Sequence, residues 1–142
     1  MFRKKSFAVA TIAVLGILAG LSPAQAKITL YECKFKQEES RGGGWIPEML
    51  ILTEDDKTGE ITVYDPVIKH FVGEPIPAKL EARTNARSTY IWRFRADNRG
   101  QSSKMSYTFS YRSNGQPATI RAQPGGYDNV WTGDGTCKVS KG

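Results

Sequence analysis

Between Tyr90 and Arg95 the chain reads Tyr-Ile-Trp-Arg-Phe-Arg, rings interleaved with guanidiniums. Rings that stack on bases and cations that neutralise phosphate are the two components of single-stranded nucleic-acid binding. The spacing separates them here. Side chains alternate between the two faces of an extended strand, so Tyr90, Trp92 and Phe94 share one face while Arg93 and Arg95 take the other. The rings then read as core and the guanidiniums as exterior, and nucleic acid is not the expected partner. Arg112 and Arg121 fall on the polar positions of the next two extended segments. With Arg93 and Arg95 they make a candidate surface for an anionic partner, because a guanidinium grips carboxylate or phosphate through two parallel hydrogen bonds.

Other reactive groups are sparse. His70 is the one histidine of the chain, and it stands in a proline-rich connection, where a loop side chain is the expectation. The acidic run Glu54-Asp55-Asp56, with Glu60 and Asp65 near it, lacks the alternate-residue oxygen spacing of a calcium loop. It reads as a solvated hairpin tip. No Gly-x-Ser-x-Gly or His-x-x-x-His occurs, and the glycine runs do not open onto a helix as a phosphate cradle would. No catalytic residue, metal ligand or cofactor is therefore expected, and a small hydrolase ranks below a binding protein.

The remaining reactive residues are Cys33 and Cys137, the two cysteines of the chain. Residues 1–26 explain their use. Arg3, Lys4 and Lys5 precede an apolar run of about 15 residues, and Pro23 and Ala24-Gln25-Ala26 follow. This is the layout of a cleavable secretory signal, too short for the roughly 20 residues of a membrane span. No Arg-Arg pair marks the twin-arginine route. The expected mature domain is residues 27–142, periplasmic or extracellular and not membrane-spanning after cleavage. Loss of the signal takes the basic residues from 20 to 17 against 14 acids, so the net charge falls from +6 to +3. In an oxidising compartment the two cysteines are expected to form a disulfide.

The elements that must position these residues are strands. Period-two alternation runs through Thr29–Phe35, Ile61–Tyr64, Ala78–Arg83, Tyr90–Arg95, Met105–Arg112 and Ala118–Ala122, and a last strand includes Thr136–Val139. Met49–Leu52 is continuously apolar and reads as a strand covered on both sides. Turn chemistry stands at Asp56-Lys57-Thr58-Gly59, Asp97-Asn98-Arg99-Gly100, Asn114-Gly115 and Pro124-Gly125-Gly126. The Gly42-Gly43-Gly44 run reads as a flexible loop and residues 65–77 as a long irregular connection. About eight strands with short connections predict one all-β domain, a small antiparallel barrel or a barrel-like sandwich. In an up-and-down barrel the first and last strands are neighbours, and cysteines there meet the distance a disulfide needs.

Tyr31-Glu32-Cys33 early and Cys137 late resemble the secreted inhibitors of animal-type lysozymes, small barrels with an early Tyr-x-Cys and a late cysteine. The resemblance covers the two ends only. The inhibitory Ser-Gly-x-x-Tyr loop of that family is missing, and the nearest segment, Asn85 to Tyr90, lacks the glycine. A net-basic chain also suits a cationic lysozyme poorly. A carrier of a small apolar ligand is a further alternative, opposed by the bulk of the inward residues, among them Tyr31, Phe35, Tyr107, Phe109 and Tyr111. The expected function is non-catalytic binding in the cell envelope, to an unknown protein or an anionic envelope component, with the oligomeric state left open.

Overall fold

The computed structural model describes residues 20, 27–36, 44–113 and 117–142. Apart from Gly20, the expected signal segment lies outside the described residues, as do Gly42, Gly43 and the expected turn at Asn114-Gly115.

Nine strands and one short helix follow in order: β1 (Ile28–Phe35), β2 (Met49–Asp55), β3 (Ile61–Tyr64), α1 (Pro66–Phe71), β4 (Ile76–Pro77), β5 (Lys79–Arg83), β6 (Arg87–Asn98), β7 (Gln101–Arg112), β8 (Ala118–Pro124) and β9 (Trp131–Lys141). They form one antiparallel sheet of order β4-β3-β2-β1-β9-β8-β7-β6-β5. Its two ends are covalently continuous, because Ala78 alone separates β4 from β5. The first of these pairs with β3 and the second with β6, and the Ala78 amide donates to the Ile61 carbonyl at 2.9 Å. One segment thus closes the ring, and the result is a nearly closed up-and-down barrel. This explains how about eight expected strands become nine. A single expected strand, Ala78–Arg83, is preceded by a short piece that pairs on the other side.

At the seam, β1 and β9 pair from Thr29 opposite Lys141 to Phe35 opposite Gly135. Cys33 and Cys137 lie directly opposite in that register and are joined by a disulfide. Both fall on inward positions, with Cys33 fully buried. A disulfide persists in a non-reducing environment, and that is the environment this fold belongs to.

The alternation read from the sequence sets the core. Tyr31, Phe35, Tyr90, Trp92, Phe94, Tyr107 and Phe109 point inward and are buried. Tyr107 stacks on Trp92 (5.6 Å, 4°) and on Phe94 (5.5 Å, 16°), so large rings occupy the interior. Room for them comes from small residues on the neighbouring strands, Ala122 lying directly opposite Tyr107. Ala118 and Ala122 are the inward neighbours of Ile120 on β8. On β9, a Cβ at Gly135 would lie 2.1 Å from the Lys34 carbonyl oxygen, and one at Gly133 would lie 2.7 Å from Ile46 Cγ2. Any side chain at either position would have to displace β1 or Ile46.

Three expectations are corrected. Met49–Leu52 is covered on one face only: Leu50 and Leu52 are buried, while Met49 is exposed and Ile51 half-exposed. The inward face expected of Ala78, Leu80 and Ala82 ends at Ala78. A register shift between Leu80 and Ala82 breaks the alternation, and all of β5 is exposed. Residues 65–77 are ordered rather than irregular. Asp65 caps α1, its Oδ1 accepting from the Ile68 amide at 2.8 Å, and Pro66 takes the first turn, where its missing N–H costs nothing.

Candidate functional site

The β6–β7 hairpin carries the cationic residues to the exterior. Its turn is Arg99-Gly100, both with positive φ (48° and 80°), as a two-residue hairpin loop requires. Arg93 and Arg95 are exposed on β6, opposite Ser106 and Lys104 of β7. Arg93 Nε donates to Ser106 Oγ at 3.3 Å and Arg95 Nη1 to Ser102 Oγ at 2.9 Å. Hydroxyls, not carboxylates, orient these guanidiniums, and among the described residues neither forms an ion pair. Arg121 lies on β8, opposite Thr108, with Nη2 at 3.4 Å from Gln123 Oε1. Arg112 sits elsewhere. It pairs with Arg87 at the far end of the hairpin, six residues and therefore about 20 Å along β7 from Ser106. The geometry groups Arg93 and Arg95 with Lys104, sets Arg121 two strands away on the same wall, and leaves Arg112 apart.

The barrel end near Arg112 holds a polar network that the sequence did not announce. Glu54, expected at a solvated tip, points inward from β2 and is buried. Its carboxylate accepts from Arg83 Nη2 at 2.8 and 2.7 Å and from the Tyr90 hydroxyl at 2.8 Å. The Tyr31 hydroxyl lies 3.2 Å from that of Tyr90. Burial first, then this crowding of acceptors, pushes the Tyr90 phenol well above its ordinary range. The Glu54 carboxylate likewise holds the Arg83 guanidinium more firmly charged than usual. The neighbouring Asp55 caps its own turn, accepting from the Lys57 and Thr58 amides at 2.9 and 3.2 Å. Those bonds lower its pKa. Among the described residues no group of three or more His, Cys, Asp or Glu side chains could hold a metal ion.

The opposite end is aromatic. Trp45, from the segment before β2, lies between Phe71 of α1 (5.4 Å, 10°) and Trp131 of β9 (5.9 Å, 24°). The stack continues inward from Phe71 to Phe94 (6.2 Å, 28°). His70 sits on the last turn of α1, exposed, with its ring edge-on to Phe71 (4.7 Å, 85°). The Tyr107 hydroxyl donates to the Trp45 carbonyl at 2.9 Å, which ties the Trp45 segment to the core. Two open hollows flank Trp45. One of about 710 Å³ is lined by Trp45, Glu48, His70, Phe71 and Asn98 among others. The second, of about 240 Å³, is lined by Trp45, Asn98, Ser102, Tyr127, Asn129 and Trp131 among others, and carries no charged side chain.

Beneath this end, Asp65 is 3 % exposed and its Oδ2 lacks a hydrogen-bond partner among the described residues. Desolvation pushes its carboxyl up to about 6, against the opposing pull of the Ile68 and Val67 amides. Its charge adds to the burial that raises the Tyr107 phenol. The folded protein therefore binds this proton more tightly than the unfolded chain does. The stability it contributes is present below about pH 3.8 and is lost as pH rises through about 6. Asp65→Asn keeps the helix cap and removes the buried charge, so it is expected to stabilise by about 1–2 kcal/mol at pH 7.5. Urea unfolding of both proteins at pH 7.5 and pH 4 checks this. The advantage of the variant should vanish at the lower pH, and an advantage independent of pH would refute the assignment.

Among the described residues no helix is long and apolar enough to cross a membrane. Neither a protein-family model, nor a curated protein, nor a solved structure matches this chain.

Proposed function

We propose that this protein is an exported, non-catalytic binding domain of the cell envelope, periplasmic or extracellular once residues 1–26 are removed, and that its partner is anionic. The observation that supports this is the cross-strand pairing of Arg95 with Lys104, with Arg93 two residues further on. Like charges placed directly opposite on adjacent strands destabilise a hairpin; none of the three forms an ion pair among the described residues, and the one acid on this face of β6, Asp97, stands opposite Ser102. An anionic partner relieves that repulsion and gains charge-assisted hydrogen bonds from donors already turned outward. The formal surplus of three positive charges on residues 27–142 favours the same encounter at long range.

Replacing Arg93, Arg95 and Lys104 together with glutamine is expected to weaken binding to polyglutamate at least tenfold at low salt, with a melting temperature equal to or slightly above that of the wild type, since the cross-strand repulsion is removed. Arg112 opposite Arg87 is a second like-charge pair, but it shares its hollow with Asp134, so Arg112→Gln should have the smaller effect. Wild-type binding should fall steeply with ionic strength. Equal binding by the triple variant and the wild type would remove this surface as the contact.

A further inference from the structure

The aromatic end has features that neither folding nor the cationic wall accounts for. Tyr127 is 61 % exposed, and the Trp45–Trp131 stack is only partly covered, although each ring would be better buried if packing were its only task. The smaller hollow combines these rings with Asn98, Asn129 and Ser102. That chemistry is selective. A phosphate or a bare carboxylate would need cations in the hollow, and an acyl chain would need an apolar lining without amides. Rings beside neutral amides and hydroxyls suit a molecule with an apolar face and a rim of hydroxyls, because amides offer both donors and acceptors at fixed angles. A pyranose is such a molecule. The hollow also adjoins the cationic wall, since Ser102 lines it and accepts from Arg95. Trp45 and Asn98 line both hollows, so the larger one, towards Phe71 and His70, adjoins the smaller; Glu48 lines the larger, which places acidic substituents on the Arg95 side and leaves neutral ring faces for this one.

We infer that the groove from Tyr127 past Trp45 to Phe71 binds a segment of acidic polysaccharide, with sugar rings against the aromatic side chains and acidic substituents towards Arg95. This rests on the proposed anionic binding and names its ligand class.

The test is titration of the full exported domain, followed by tryptophan fluorescence, with oligogalacturonate, with a neutral cello-oligosaccharide and with polyglutamate. Oligogalacturonate is expected to bind most tightly and to shift the emission. Tyr127→Ala removes an exposed ring without touching the core. It should weaken both saccharides about five- to tenfold and leave polyglutamate unaffected. Arg95→Gln should weaken oligogalacturonate and polyglutamate but not the neutral chain. Equal affinity for oligogalacturonate and polyglutamate, with neither sensitive to Tyr127→Ala, would overturn the saccharide inference and leave the anionic reading standing. Failure of wild type to bind either anion would overturn both. Oligogalacturonate binding indifferent to Arg95→Gln would overturn the acidic assignment.

Discussion

Replacing Cys33 and Cys137 together with alanine is expected to lower stability by about 2–5 kcal/mol, a fall of roughly 10–20 °C in melting temperature. The bridge spans a sequence separation of 104 residues, and a cross-link over so long a loop removes much of the freedom of the unfolded chain. The alternative is that β1 and β9 are adequately joined by their ladder. They share seven paired positions, and the Ile28 amide also bonds to the Gly142 carbonyl at 3.3 Å. In that case the double variant would melt close to the wild type, and the covalent tie would be dispensable. Alanine is preferable to serine because position 33 is buried, where an unpaired hydroxyl would add its own penalty. A melting curve under oxidising conditions decides between the two, and the same variant in reductant should show no further change.

The second large effect concerns Glu54 and Arg83. Arg83→Met leaves a buried carboxylate with only the Tyr90 hydroxyl, and should cost about 2–3 kcal/mol. That is the lower part of the range for breaking a buried pair, because the Arg83 side chain is itself 45 % exposed. Glu54→Leu leaves the guanidinium free to turn to water and should cost less. The double change Glu54→Leu with Arg83→Met should recover most of the loss, since both charges are then gone and the Tyr31 and Tyr90 hydroxyls retain each other. Denaturant midpoints of the four proteins form a complete cycle. Losses that simply add would mean that the pair makes no mutual contribution.

An all-β domain, barrel or barrel-like sandwich, was legible because the chain repeats one instruction, and the closure through Ala78 that makes it a barrel was not. From Thr29–Phe35 to Ala118–Ala122, alternate residues state which face is inside, and the two cysteines state which strands meet. What was not legible depends on partners distant in sequence. Glu54 looked like a tip residue because Arg83 and Tyr90, which neutralise and satisfy it, stand 29 and 36 positions away. The arginine wall was half legible. Facing could be read from alternation, but grouping needed the register that sets Arg112 opposite Arg87 and Arg95 opposite Lys104. Trp45, Phe71 and Trp131 were missed because they come from a loop, a helix and a strand with no shared pattern. For α1 a signal did exist in Asp65-Pro66, a helix cap followed by a first-turn proline, and the density of prolines after it hid the reading.

The seam between β1 and β9 also governs the order of assembly. A chain made amino end first delivers β1 early, but one edge of that strand stays unpaired until Trp131–Lys141 has arrived. Throughout that interval Ile28–Phe35 is an open template for any other extended chain. Crowded synthesis should therefore favour entanglement between nascent copies, and a chaperone that shields this segment would act at the most vulnerable moment.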